Sequence, residues 1–426
     1  MDYKKTTIKI LAEASRLLIG LTFAFSGFVK AIDPVGFTIK INDYLTAFGV
    51  ETLKALSGII SFNLIAIEFM VGICVLLGAY RRYSSFLALL LMVFMTPLTL
   101  YLALFNPVSD CGCFGDAVVL TNWETFYKNI VLLVAAVFLF IYNQRILPFF
   151  TYKSYWFVAL YAYSACIFFS YQNYAHLPLK DFRPYKIGAA IPALMAIPEG
   201  AEEDEYRYTF VYEKDGVRKE FALDDYPSDD PNWTFVESKT ELIKQGYVPP
   251  ITNFVLFNED DQNVTEDILS DSKGVLLLIA PKVEKSEDQR LDDINATYDY
   301  ANEHGIKFYC VTSSTKDQVQ EWIDTTGAEY PFLMGDETLL KTIIRSNPGL
   351  VLLKNGIVFA KWHYNDFPTE EEIEKVLSDY LSKDTVKPRE EDKQIAICLV
   401  AFTVPLLFVW IYDYFRYRRR KKNINV

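Results

Sequence analysis

The chain has 426 residues, 51% hydrophobic and 15% aromatic, with a formal net charge of −12. That length allows two or three domains, and so apolar a composition excludes a chain held wholly in water. The acidity argues against nucleic acid as a partner.

The charge is divided unevenly. Residues 176–393 hold 24 Lys and Arg against 44 Asp and Glu, a net of −20, which leaves +8 for the rest. A basic, apolar part is thus fused to an acidic one. Six runs approach the 20 or so apolar residues that cross a bilayer: 8–29, 58–79, 84–105, 126–142, 154–171 and 394–412. The first is too long for a signal-peptide core and lacks a small-residue cleavage site, so it is expected to remain as a helix. Lys4, Lys5, Lys9, Arg81, Arg82, Arg145, Lys153 and the basic tail from Arg416 to Lys422 fall on one side of this six-span arrangement. Basic residues mark the cytoplasmic side. Both termini are therefore expected in the cytoplasm, with the acidic part on the opposite face of a bacterial inner membrane, in the periplasm.

Ionisable groups inside spans are costly and so draw attention. Glu13 and Arg16, three apart, can pair along one helix or snorkel to the cytoplasmic surface. Glu68 sits mid-span with no cation beside it in sequence. It must be protonated, paired across helices, with Arg16 the expected partner, or bonded to a ligand. Pro97 should kink the third span.

Between the third and fourth spans lies Asp110-Cys111-Gly112-Cys113-Phe114-Gly115-Asp116. Two cysteines one residue apart, with Gly between them, can form a redox dithiol, a soft metal site or a tight turn. A metal is disfavoured, because His176, His304 and His363 are scattered without ligand spacing. Asp110 and Asp116 should raise the thiol pKa values, and the next helix begins near Asn122, too far along to be assumed to help. The pair therefore reads as one that accepts electrons more than as an aggressive nucleophile. Cys74, Cys166 and Cys398 lie singly in spans, as small packing residues do.

The stretch Ser26-Gly27-Phe28-Val29-Lys30, followed by Asp33-Pro34-Val35-Gly36-Phe37, resembles the end of the first helix in the DoxX membrane family. Residues 68–78 with Arg81-Arg82 resemble its second helix, and Cys111-Gly112-Cys113-Phe114-Gly115 resembles its MauE branch. The resemblance covers about a third of the chain. It implies a four-helix membrane domain, a role in disulfide formation outside the cytoplasm, and quinone as electron acceptor.

In the acidic part, 206–212 and 218–223 flank Lys214-Asp215-Gly216 as a hairpin, and 224–231 reads as a loop. Strands are expected at 254–257, 275–280 and 306–311, with helices at 288–304, 316–326 and 339–344. A hairpin over 349–354 and 357–362 turns through Asn355-Gly356, a strong type I′ signal, and a helix over 370–381 follows. This order indicates an α/β sandwich. It resembles the thioredoxin fold of the TlpA-like group over about 249–381, with Asn347-Pro348-Gly349 where that family carries its cis-proline loop. The family's Cys-x-x-Cys would follow the strand at 275–280, where this chain has Pro281-Lys282-Val283-Glu284. The resemblance thus implies a domain that binds a partner beside Pro348 and does no thiol chemistry of its own.

The expected organisation is a multi-domain protein: an α-helical membrane bundle plus an extracytoplasmic α/β thioredoxin-like domain. Residues 1–145 form the DoxX/MauE-like domain, 146–175 a fifth span, 176–248 an acidic segment and 249–382 the thioredoxin-like domain. Residues 383–393, with the breaker Lys387-Pro388-Arg389, link it to a sixth span and basic tail at 394–426. Function is expected to be thiol–disulfide redox work at Cys111 and Cys113, with Glu68, Arg16 and Glu13 as a membrane polar site. The partners would be lipid and an extracytoplasmic protein client. The alternative is a non-enzymatic scaffold or assembly factor.

Overall fold

The computed structural model describes residues 3–424, save 109, 203–204, 215–216, 223–232, 245, 384 and 387–389. The expected Asp215-Gly216 turn, the 224–231 loop and the Lys387–Arg389 breaker fall largely outside the described residues.

Six long helices build the membrane part: α1 (Tyr3–Ile32), α3 (Ser57–Leu77), α4 (Arg81–Phe105), α5 (Asn122–Ile141), α6 (Tyr155–Ala175) and α13 (Glu391–Ile424). Among the described residues, four stretches can cross a membrane by length and composition: Glu51–Leu77, Arg81–Phe105, Asn122–Ile141 and Glu391–Arg416. Helices α1 and α6 pack in the same bundle, but charges interrupt α1 and polar side chains dilute α6. The chain is thus a multi-pass membrane protein. Helix α4 continues through Pro97. Helices α1 and α3 run antiparallel and touch through glycine. A Cβ on Gly72 would lie 2.4 Å from the Ala24 nitrogen, and one on Gly27 2.8 Å from that of Phe69. Helix α13 leans on α6, with Tyr161 stacked on Phe402, and Asp413 accepts from Thr151 N at 2.9 Å.

One helix of more than three turns was not anticipated. Helix α2 (Pro34–Ala47) follows α1 after a single residue, Asp33, whose carboxylate accepts from Gly36 N at 2.8 Å and caps it, with Pro34 in the first turn.

Beyond the bundle, β1 (Glu205–Lys214), β2 (Val217–Ala222) and β3 (Thr234–Lys244) form an antiparallel sheet in the order β2-β1-β3. The short α7 (Ile191–Met195) and α8 (Thr265–Leu269) flank the main α/β core. That core is a five-stranded sheet of β4 (Val275–Ile279), β5 (Lys307–Thr312), β6 (Phe332–Met334), β7 (Gly349–Lys354) and β8 (Ile357–His363), ordered β6-β5-β4-β7-β8. Strands β4, β5 and β6 are parallel, and β7 and β8 antiparallel to their neighbours. Helix α9 (Leu291–Glu303) joins β4 to β5, α10 (Lys316–Thr326) and α11 (Glu337–Ile343) lie either side of β6, and α12 (Ile373–Leu381) follows β8. Two strands joined by a helix, then a hairpin and a closing helix, is the thioredoxin-like connectivity.

Strand β4 is buried on both faces, as a central strand must be. Val275, Leu277 and Ile279 face one core with Leu339, Leu340 and the upstream Tyr185 and Ile191. Leu276 and Leu278 face the other, with Ile294 and Leu377 from α9 and α12. The β7–β8 turn places Asn355 and Gly356 at φ 50° and 69°, as type I′ requires. The expected strand at 254–257 is absent: Phe257 makes only isolated bridges to Asn263 and Met334, while Leu256 N bonds the Thr265 hydroxyl. The Asn347–Pro348 bond is cis.

Candidate redox site

The cysteine loop is closed at its base. Thr121 and Glu124 form a capping box at the start of α5, and Asn122 Nδ2 donates to Asn106 Oδ1 at 2.8 Å and Val108 O at 3.0 Å. Gly112 and Gly115 take φ of 63° and 52°, open to glycine at little cost, and Gly115 N donates to Gly112 O at 3.2 Å. Helices α1 and α2 hold this turn. Ser26 Oγ donates to Cys113 O, and Tyr44 OH to Cys111 O at 2.8 Å.

Both cysteines are free thiols here. Cys113 N donates to Cys111 Sγ at 3.3 Å, and the two side chains are hydrogen-bonded. This bond from the Cys113 thiol, aided by the Lys128 ammonium and Thr125, overcomes burial and pulls Cys111 down to about 6. Cys113 moves the other way, because its proton is held by Cys111 and burial disfavours its thiolate.

The flanking carboxylates do not act as expected. Asp110 is ion-paired with Lys40 at 2.7 Å and accepts from Gly112 N at 2.8 Å. Asp116 faces Arg345 at 3.4 Å. Lys40 thus offsets Asp110, and Asp116 shares the Arg345 guanidinium with Asp33, while the charge that lowers Cys111 is that of Lys128. Helix α5 also helps more than its sequence distance suggested, since Thr125 in its first turn reaches Cys111.

Below the loop, a cavity of about 100 Å³ runs into the bundle. Cys113, Lys30, Glu68, Lys128 and Asn129 supply its polar lining, among Phe23, Leu91, Met92, Met95 and Phe114. Lys30 and Glu68 form an ion pair of 2.7 Å, so the expected Glu68–Arg16 pairing is not made. Antiparallel α1 and α3 put Glu68 level with the end of α1, whereas Arg16 lies about 21 Å lower along it at 1.5 Å per residue. Arg16 instead pairs with Glu13 at 2.8 Å. Both grip the connector after α5: Arg16 donates to Leu147 O at 3.0 Å and Glu13 accepts from Leu147 N at 3.1 Å. They belong to the far end of the bundle, not to the cysteine site.

Residues 8–142, which contain all of these groups except Arg345 and the Leu147 connector, match the family described as methylamine utilisation protein MauE. They form a MauE family domain. Residues 206–245 match a domain of unknown function, DUF8463. Among solved structures, a candidate protein disulfide isomerase from Bacteroides thetaiotaomicron is 14% identical with a TM-score of 0.25, covering 31% of this chain and 87% of that one. No curated protein matches.

The thioredoxin-like domain sits on the cysteine face of the MauE domain. Arg345 is the main contact. Its guanidinium binds Asp33 through Nε at 3.0 Å and Nη2 at 2.9 Å, and Nη1 donates to Lys341 O at 2.7 Å. Burial alone would raise Asp33, but the Arg345 charge holds it below the usual carboxylate range, whereas burial dominates at Asp116 and raises it. Arg183 and Lys361 cap the same end of α11, at Thr342 O and Ile343 O, and Lys361 pairs with Asp181 at 3.0 Å. Burial depresses Lys361 to about 8 despite that partner.

Pro281–Glu284 and the Pro348 loop face α2. Asn347 Nδ2 donates to Lys282 O at 2.9 Å, and Asn347 O accepts from Glu287 N at 3.0 Å. The backbone carbonyl beside Pro348 is thus engaged within the domain. A cavity of about 310 Å³ separates this loop from Val35 and Ile39 of α2. It adjoins a cleft of about 640 Å³ over Gly112, Gly115 and Asp116. Among the described residues, no group of three or more His, Cys, Asp or Glu is placed to hold a metal ion. Sequence reasoning missed Arg345, Lys128 and Lys40; nothing local marks Arg345 or Lys40, whereas Lys128 could have been found as an ionisable group inside the fourth apolar run.

Proposed function

We propose that the protein is a thiol–disulfide oxidoreductase of the bacterial inner membrane, with Cys111 and Cys113 as its cycling pair. The observation that carries this is the hydrogen-bonded dithiol with a lowered Cys111, placed where Cys113 opens into the bundle cavity. A thiolate that is stable in the reduced pair makes the corresponding disulfide a better oxidant. We retain in this proposal the electron-accepting character expected from sequence, but argue it from the lowered Cys111 thiol. The disulfide would take two electrons from a client's two thiols, leaving the client disulfide-bonded and the motif reduced.

Quinone is the proposed acceptor. Apolar walls with ammonium and amide donors from Lys30, Lys128 and Asn129 are the chemistry a quinone ring and its carbonyls require. When bound, it would take up the two electrons and two protons. The thioredoxin-like domain, periplasmic in this reading, would shape the client's approach across the cleft beside Asn347 and Pro348.

The assembly-factor reading has one observation in its favour: the thioredoxin-like domain lacks cysteines at Pro281–Glu284 and docks on its own MauE domain. Purified protein in liposomes containing a short-chain ubiquinone, given dithiothreitol, separates the two. Quinone absorbance should fall with wild type and far more slowly with Cys111→Ser or Cys113→Ser. Equal rates in all three would leave the scaffold.

A further inference from the structure

Three lysines surround the cysteine motif, and two are neutralised. Lys30 is paired with Glu68 and Lys40 with Asp110, both at 2.7 Å. Lys128 differs. Among the described residues it has no carboxylate at ion-pair distance; its ammonium lies 4.2 Å from the centre of the Phe114 ring, within the motif, and lines the cavity beside Cys113. An unpaired cation within an apolar helix is costly and so marks a function, and an aromatic face compensates only part of that cost.

The same face of α5 is arranged toward the sulfurs. Thr125, Lys128 and Asn129 fall at i, i+3 and i+4 and so share one side of the helix. Thr125 is fully buried, and its hydroxyl has no oxygen or nitrogen partner; it lies against Cys111. Asp116, the other carboxylate of the motif, faces Arg345 at 3.4 Å and shares it with Asp33. Lys128 is the cation that acts on Cys111 and acts first on Cys113, with Lys30 adding to it at Cys113.

We propose that Lys128 is the positioning residue that sets the oxidising power of the Cys111/Cys113 pair. This rests on the redox reading above. A client thiolate attacks one sulfur of the Cys111–Cys113 disulfide, that S–S bond breaks, and the other sulfur departs as a thiolate in the field of Lys128. A second client thiolate then displaces the motif's sulfur from the mixed disulfide. The client has lost two electrons and the motif has gained them. A cation beside the departing sulfur favours the reduced motif and so strengthens the disulfide as an acceptor.

The test equilibrates full-length protein with mixtures of reduced and oxidised glutathione and reads the disulfide fraction with an alkylating mass tag. Lys128→Met and Lys128→Gln should each make the disulfide about tenfold harder to reduce, about 30 mV for a two-electron couple, whereas Lys128→Arg should stay near wild type. An equilibrium unchanged in both neutral variants, or shifted equally by Lys128→Arg, would overturn the proposal. A wild-type protein that never forms the disulfide would instead sink the redox reading itself.

Discussion

At the residue scale, the site turns on charges that are neighbours in space but not in sequence. Asp110 and Asp116 flank the thiols, and sequence proximity makes them look like the governing neighbours. Their partners, Lys40 and Arg345, come from 70 and 229 residues away. No local pattern could supply those partners. The cysteine motif itself was legible because its spacing and glycines are local. A pH profile checks the result. The thiolate is the reacting form, so a pKa lowered to about 6 moves reactivity to lower pH. Alkylation of Cys111 by iodoacetamide should rise through about pH 6 and level off by about pH 8, with Cys113 lagging, read by peptide mass spectrometry. A midpoint near 9 for Cys111 would show that the hydrogen-bonded arrangement does not form.

At the element scale, the helices and strands with strong periodicity were readable: the spans, the apolar run of β4, and the Asn355-Gly356 hairpin. Helix α2 was not, because Val35, Phe37, Ile39 and Ile41 alternate at the period of a strand and its start is set by the Asp33 cap rather than by a hydrophobic stripe. The 254–257 run failed as a strand because its backbone bonds go to Thr265 and Met334 instead of a ladder. The pairing of Glu68 depended on helix register, which glycine contacts fix. Gly72 packs on the Ala24 backbone with no room for a Cβ. Gly72→Ile should therefore separate α1 from α3, lowering stability by about 1–3 kcal/mol and loosening the Lys30–Glu68 pair. Thermal unfolding in detergent measures the first effect. An unchanged Tm would mean the helices are not packed as described.

At the scale of the whole molecule, a domain without cysteines is seated against a domain that has them. Arg345 is 92% buried from solvent along its side chain and joins both Asp33 and Asp116. Removing one partner of a buried ion pair leaves the other uncompensated, at about 3–5 kcal/mol. Arg345→Ala should accordingly loosen the docking and speed hydrogen exchange in α2 and the cysteine loop, leaving β4 and β7 protected. Exchange as slow as in wild type would show that other contacts hold the domains together. The fusion could be read from composition, since an acidic part followed a basic, apolar one. The docking could not, because it rests on single side chains 312 residues apart.

In the proposed function, Cys111 and Cys113 cycle between dithiol and disulfide with electrons leaving through the membrane. Trapping thiols in living cells with an alkylating mass tag, with and without quinone depletion, tests it most directly. A Cys111–Cys113 disulfide is expected in normal cells and should become reduced when quinone is removed. Two free thiols under both conditions would contradict it.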